Sequence, residues 1–213
     1  MLKDKPTLKR ALGSYALAER LVIAINATHL KAMTKGIFLV AVCKDENEMV
    51  CPLAFGFGNV ECTELLTWFL KKLCELIQYP DRVMLVLDRY NGIFNTMEAI
   101  FPDASHRICA YHLAQNLKRF YKQMDDVIWL YYRAMYTYRI EEFDCVMAGL
   151  KEIYLKVYDE LLGIGIKKFS RVHSPRKMYF LMTTNIPESM NSCLLAVRKL
   201  PITSMEKFIR DLL

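Results

Sequence analysis

Three groups of residues in this chain are of types that could do chemistry. The run Arg82-Val-Met-Leu-Val-Leu-Asp88-Arg89 carries five consecutive apolar residues, Val83 to Leu87, and then a carboxylate. Such a run is too short for a helix and β-branched enough for a buried strand. An acid at its end stands at the rim of a sheet, where α/β folds place ligands and chemistry. Further along come Cys109-Ala-Tyr-His112 and, in Thr183-Thr-Asn-Ile-Pro-Glu188-Ser-Met-Asn191, a second acid, Glu188. An acidic strand end, a Cys-x-x-His and a distant helical Glu together suggest metal-dependent phosphodiester chemistry. Strand transfer on DNA uses two divalent cations about 3.5–4 Å apart, and hard Mg2+ takes carboxylates as its usual protein ligands.

These residues need a scaffold, and the pattern supplies one. Strands are expected over 20–26, ending in Asn26-Ala-Thr-His29, and over 36–43 and 49–56, the last two forming a hairpin in which Pro52 marks an edge position or a bulge. Apolar residues at 65, 66, 69, 70, 73, 76 and 77 predict a helix over 61–76, with Trp68 and Phe69 packed on the sheet. A fourth strand ends at Asp88, a short helix covers 92–100, and a fifth strand covers 105–109. This order, β-β-β-α-β-α-β, predicts an α/β domain with a ribonuclease-H-like mixed sheet and flanking helices, its crossovers right-handed.

From His112 onward the pattern is helical, with Leu113, Leu117 and Phe120 on one face and an aromatic-rich segment over 127–138. Aromatic residues at such spacing are expected to pack rather than to stack on bases. Gly163-Ile-Gly165 breaks the run, and 167–177 reads as a basic loop. Its Lys167, Lys168, Arg171, Arg176 and Lys177 are the best candidates for contacts to DNA phosphates, the alternative being a soluble connector. Helix resumes at Pro187-Glu188, with Asn185 as a candidate cap.

Composition bounds the function classes. With 213 residues, 54% apolar and 12% aromatic, the chain is globular rather than disordered. No apolar run reaches the roughly 18–20 residues of a membrane span, and no secretory signal is expected, so the protein is read as intracellular. Seven scattered Cys indicate reduced thiols rather than a disulfide framework. Residues 1–36 carry +5, residues 37–106 carry −5 and residues 107–213 carry +6, so basic segments flank an acidic middle, a distribution that fits a polyanionic partner. There is no nucleotide-binding Gly loop and no Ser/His/Asp spacing. Cys109 and His112 supply two of the four ligands of structural zinc, and Cys43, Cys51 and His106 are unforced partners, so zinc is not expected. His29 and His173 read as surface or hydrogen-bonded histidines.

One ordered set of motifs goes further. Ile25-Asn26-Ala27-Thr28-His29-Leu30-Lys31, Pro52-Leu-Ala-Phe-Gly56, Trp68-Phe69, Asp88-Arg89, Phe101-Pro102, Cys109-Ala-Tyr-His112-Leu, Gln115-Asn116-Leu117-Lys118 and Thr183-Thr-Asn-Ile-Pro-Glu188-Ser189 occur in this order. Over roughly residues 20–213 the chain resembles the catalytic DDE domain of plant Mutator-like (MULE) transposases. The resemblance implies a ribonuclease-H-like domain over 20–213 with an all-helical insertion at about 113–182, preceded by a basic segment over 1–19. It also implies DNA as partner, a nuclear location, and Mg2+ or Mn2+ held by Asp88 and Glu188, with self-association left open. Cys109 and His112 fall on a family signature that is structural or supports the site.

The family's first motif reads Ile-Asp-Gly-Thr, where this chain has Ile25-Asn26-Ala27-Thr28. Asn26 therefore stands at the position of the first catalytic Asp. An amide oxygen can touch a cation, but it brings no negative charge and bridges two metals poorly. The expectation is a transposase-derived domain with impaired catalysis. The alternatives are a non-enzymatic DNA-binding or transcription regulator, as the plant far-red-response regulators related to these transposases are, and a decayed element. The last follows from the expectation that the family's N-terminal DNA-binding region and its Cys-x-Cys…Cys-x-His module have no counterpart in the sequence.

Overall fold

The computed structural model describes residues 21–30, 36–44, 50–77, 80–87, 93–121, 125–174, 195 and 197–212. Five strands, β1 (Leu21–His29), β2 (Ile37–Lys44), β3 (Val50–Gly58), β4 (Val83–Leu87) and β5 (Ser105–Ile108), form one mixed sheet in the order β3-β2-β1-β4-β5. β1 thus lies in the centre. Its residues 23–26, all of β4 and residues 37–43 of β2 are buried on both faces, which is why these segments read as continuous apolar runs rather than alternating ones.

β1 is longer than its apolar stretch predicts. It continues through Ala27, Thr28 and His29 because β2 offers an antiparallel partner all the way to the pair His29↔Ile37. Asn26 consequently sits inside the strand, opposite Val40, rather than at its end. β3 is an edge strand. Its register slips between Ala41↔Ala54 and Val42↔Pro52, leaving Leu53 as the extra residue. Pro52 is therefore both on the edge and at the bulge, where a missing N–H costs least.

Helix α1 (Thr63–Leu76) buries Leu66, Phe69, Leu70, Leu73 and Leu76. It comes close to β3 at Gly56 and Gly58, where an added Cβ would lie 2.8 Å from the Phe69 ring and 2.3 Å from Leu65 Cδ2. Trp68 departs from the expectation. Its ring edge reaches Gly56, but the residue is about half exposed, because it neighbours the buried Phe69 at the border of the helix's apolar stripe. α2 (Ile93–Ile100) packs on α1, and the Cys74 thiol donates to the Ile100 carbonyl at 3.6 Å.

The chain divides into two compact units. The first runs to Val86 and resumes at Tyr90–His106 and at Asn185–Leu213; the second is Leu87–Arg89 with Arg107–Thr184. In the first unit a short 3-10 turn, Val197–Lys199, leads to α8 (Ile202–Leu212), which buries Met205 and Ile209.

The second unit is helical: α3 (Ala110–Phe120), α4 (Asp125–Tyr136), α5 (Ile140–Ile153), α6 (Leu155–Ile164) and α7 (Ile166–Phe169). On α3 the buried stripe is Ala110, Leu113, Ala114 and Leu117, whereas Phe120 is exposed. At 100° per residue Phe120 lies about 70° from the centre of that stripe, which is why the expected Leu113–Leu117–Phe120 face does not hold to its end. Gly165, at φ 97°, separates α6 from α7 in a conformation that favours glycine.

The stretch 167–177, expected to be a loop, begins as helix α7. The reason lies sixty residues away. Arg107, 2% exposed, donates to the carbonyls of Lys167 at 2.7 Å, Ser170 at 2.8 Å and Phe169 at 3.1 Å. One guanidinium fork thus takes up the orphan carbonyls of a one-turn helix that has little stability of its own. Burial pulls the guanidinium pKa down to about 10, which leaves it cationic at neutral pH. Replacing Arg107 by Met should lower unfolding free energy by about 3 kcal/mol, since three carbonyls, two of them buried, lose a charged donor. Urea unfolding followed by circular dichroism measures this, and a loss within about 0.5 kcal/mol of wild type would contradict the capping role.

Candidate active site

The chemistry-bearing positions divide by where they lie. Asn26, Cys109, His112, Lys167, Lys168 and Arg171 are described, whereas Asp88, Glu188, Arg176 and Lys177 lie outside the described residues. The expected set Asn26–Asp88–Glu188 is therefore represented by Asn26 alone.

Asn26 is 8% exposed in the central strand. By the two-residue period of a strand, its side chain shares a face with Ala24 and Thr28. Thr28 is engaged from far along the chain. Nη2 of Arg198, in the 3-10 turn before α8, donates to Thr28 Oγ1 at 2.8 Å and to the His29 carbonyl. Arg198 is itself 6% exposed, and burial lowers its pKa. A buried cation is thus fastened to β1 two residues beyond Asn26, about 7 Å along the strand. Sequence reading gave no reason to single out Arg198: its partners are 169 and 170 positions away, and no local pattern marks the pairing.

This arrangement bears directly on cation binding. A two-cation centre takes negatively charged oxygen ligands, and position 26 of β1 does not supply one. Here that strand offers a neutral buried amide, with a fixed positive charge on the same face. Among the described residues no group of three or more His, Cys, Asp or Glu side chains comes together.

Cys109 and His112 open α3. Cys109 is fully buried, and its backbone N–H donates to the carbonyl of Leu87 at 2.7 Å, while Leu113 N–H donates back to the Cys109 carbonyl at 3.0 Å. The first bond ties the start of α3 to the last residue of β4, the residue that precedes Asp88 in the sequence. Tyr131 of α4 adds a second tie, donating its hydroxyl to the Ala110 carbonyl at 3.2 Å. Burial, with the neighbouring Tyr132 and Cys109, holds the Tyr131 phenol well above its ordinary range, so it stays a protonated donor. Cys109 therefore occupies a packing position at a helix start. His112 is half-buried, its ring 5.7 Å from that of Tyr111 in an edge-to-face arrangement. His106 donates through Nε2 to the Phe101 carbonyl at 3.0 Å. Cys43 and Cys51 oppose one another across β2 and β3.

Of the basic residues, Lys167 and Lys168 stand on α7, and Arg171 follows it with its N–H bonded to the Met135 carbonyl at 3.0 Å. His173 lies 3.2 Å from the Ser170 hydroxyl through Nδ1, and its ring meets Phe143 edge-on at 4.6 Å.

Arg198→Met should destabilise the chain by about 2 kcal/mol, because it removes a charged donor from a strand hydroxyl and a strand carbonyl. Thermal unfolding reads this as a lower Tm; an unchanged Tm would show that the β1 contact contributes nothing.

A search of the curated proteins finds no match to the chain. Residues 22–116, from β1 into α3, match the family of the MULE transposase domain, and that match supports a Mutator-like transposase-related protein.

Proposed function

We propose that this chain is a transposase-derived DNA-acting domain of the Mutator-like type, with a ribonuclease-H-like core, a helical insertion over about 113–182, and impaired catalysis. The observation that carries the reading is Asn26: within the stretch matched to the MULE transposase domain, it is buried on the central strand. The strand order β3-β2-β1-β4-β5 supports the ribonuclease-H-like assignment, and the compact unit containing Arg107–Thr184 supports a helical insertion. By family resemblance the acids of the site are Asp88 and Glu188, the cofactor is Mg2+ or Mn2+, the partner is DNA and the location is the plant nucleus. Residue 26 would complete the set if it were a carboxylate.

Without that charge, stabilisation of the transition state falls. Each 1.36 kcal/mol lost is a factor of ten in rate. The same substitution favours a second reading, a non-enzymatic DNA-binding regulator that keeps the fold and the partner while the chemistry is gone. In that role a neutral buried amide is an advantage to the fold.

The wild-type chain should therefore show no nicking of supercoiled plasmid in Mg2+ or Mn2+. Asn26→Asp should raise metal-dependent nicking by about a hundredfold or more over that background, and Asp88→Ala should abolish the gain. Added Mg2+ should also raise the Tm of Asn26→Asp but not of wild type. Robust nicking by wild type would end the impaired-transposase reading. If Asn26→Asp neither nicks nor responds to metal while DNA is still bound, the regulator reading stands in its place.

DNA binding itself should be salt-dependent. Lys167→Ala and Lys168→Ala should each reduce the slope of log K against log salt by about 1. Unchanged slopes in anisotropy titrations would remove α7 from the interface.

A further inference from the structure

We infer that the exposed side and C-terminal end of α4 form a stacking surface for unpaired nucleotide bases, built from Trp129, Tyr136 and Tyr138 with the guanidinium groups of Arg133 and Arg171. The inference rests on DNA being the partner and specifies the form of DNA that this part of the chain takes.

The geometry of α4 separates its two sides. Val127, Ile128, Tyr131, Ala134 and Met135 are buried, whereas Trp129, Arg133 and Tyr136 recur at i, i+4 and i+7 and share the opposite stripe. Trp129 is 58% exposed, Tyr136 42% and, just past the helix end, Tyr138 67%. The sequence-based expectation that aromatic residues over 127–138 pack inside holds for Tyr131 and fails for these three. They occupy positions at which the helical period turns away from the core.

Each end of the surface pairs a ring with a guanidinium. Arg133 Cζ lies 4.8 Å from the centroid of the Trp129 ring, and Arg171 Cζ lies 4.1 Å from that of Tyr138. Arg171 is held there through its own backbone, which donates to the Met135 carbonyl at 3.0 Å. Tyr136 is held in place by its stacking on Tyr132 (centroids 6.0 Å apart, planes at 14°). Arg133 also meets Glu142 at 3.2 Å, which fixes it without burying it.

Exposed rings beside fixed cations match one ligand chemistry, a base with its π-face free and a phosphate next to it. In a duplex the base faces are already stacked on one another, so the fit is to single-stranded or extruded nucleotides. The charge agrees: residues 107–213 carry seventeen basic and eleven acidic side chains.

The chain has two tryptophans, so Trp68→Phe leaves Trp129 as the only indole reporter. The full chain carrying that change should be titrated at low salt with a short oligothymidylate and with a duplex of equal length, by fluorescence and anisotropy. The single strand should quench Trp129 emission. Trp129→Ala and Tyr138→Ala should each weaken its binding by about fivefold to a hundredfold, with Tm unchanged because both side chains are exposed. Tyr138→Phe, which keeps the ring, should bind as the parent does. Duplex binding with no quenching and no effect of the Ala variants would overturn this surface while leaving DNA as the partner. Absence of binding to either form would overturn both. A concentration-dependent dimer in sedimentation that Trp129→Ala abolishes, without oligonucleotide binding, would assign the patch to a protein interface instead.

Discussion

A strand buried on both faces can hold a carboxylate only if something compensates its charge. An ionised acid withdrawn from water without a partner costs several kcal/mol, and the usual outcome is a neutralised group or a bound cation. β1 is such a strand, flanked by β2 and β4. With Asn at position 26 the requirement disappears, and the sheet closes around an amide that carries no charge. The fold and the chemistry implied by the family resemblance therefore place opposite demands on one position. By that resemblance a carboxylate there would serve metal binding and leave the strand dependent on a cation; an amide leaves the strand self-sufficient.

The surroundings of β1 follow from the same constraint. Arg198 brings a guanidinium to the Thr28 hydroxyl and the His29 carbonyl, at the end of the strand beyond Asn26. A fixed cation that close would compete with a divalent ion for the same field and would favour an acid at position 26 in its ionised form. With Asn present, it acts only as a donor to the strand end.

How much of this was legible in the sequence depends on the range of each interaction. The five strands, α1 and α2 were readable because their signals are local: apolar runs, helical spacing and turn residues. Pro52 announced its own position, since a residue without an N–H has few places in a sheet. The extension of β1 to His29 was not readable, because it depends on the pairing that β2 provides. Helix α7 was missed because its carbonyls are taken up by Arg107, sixty residues earlier in the chain. Of the candidate site, Asn26 was legible from its place in an ordered set of motifs, and Arg198 was not, since a lone Arg in a basic segment looks like any other.

That last failure has a physical cause that reaches beyond one residue. Among the described residues four arginines show two uses that the sequence does not distinguish. Arg107 and Arg198 are buried; Arg107 donates to three backbone carbonyls and Arg198 to one carbonyl and a hydroxyl, so their charge serves to hold the chain in place. Arg133 and Arg171 lie over aromatic rings near the surface, and Arg133 also pairs with Glu142. A guanidinium suits both tasks because it is planar, permanently charged at neutral pH and weakly hydrated. Burial decides which task it performs, and burial is set by the helical period of the elements around it. On α4 that period turns Tyr131 inward and Trp129, Arg133 and Tyr136 outward, so one aromatic-rich segment serves as core on one side and as a cationic aromatic surface on the other. A basic, aromatic composition is therefore ambiguous as sequence and becomes specific only when the helix phase is known.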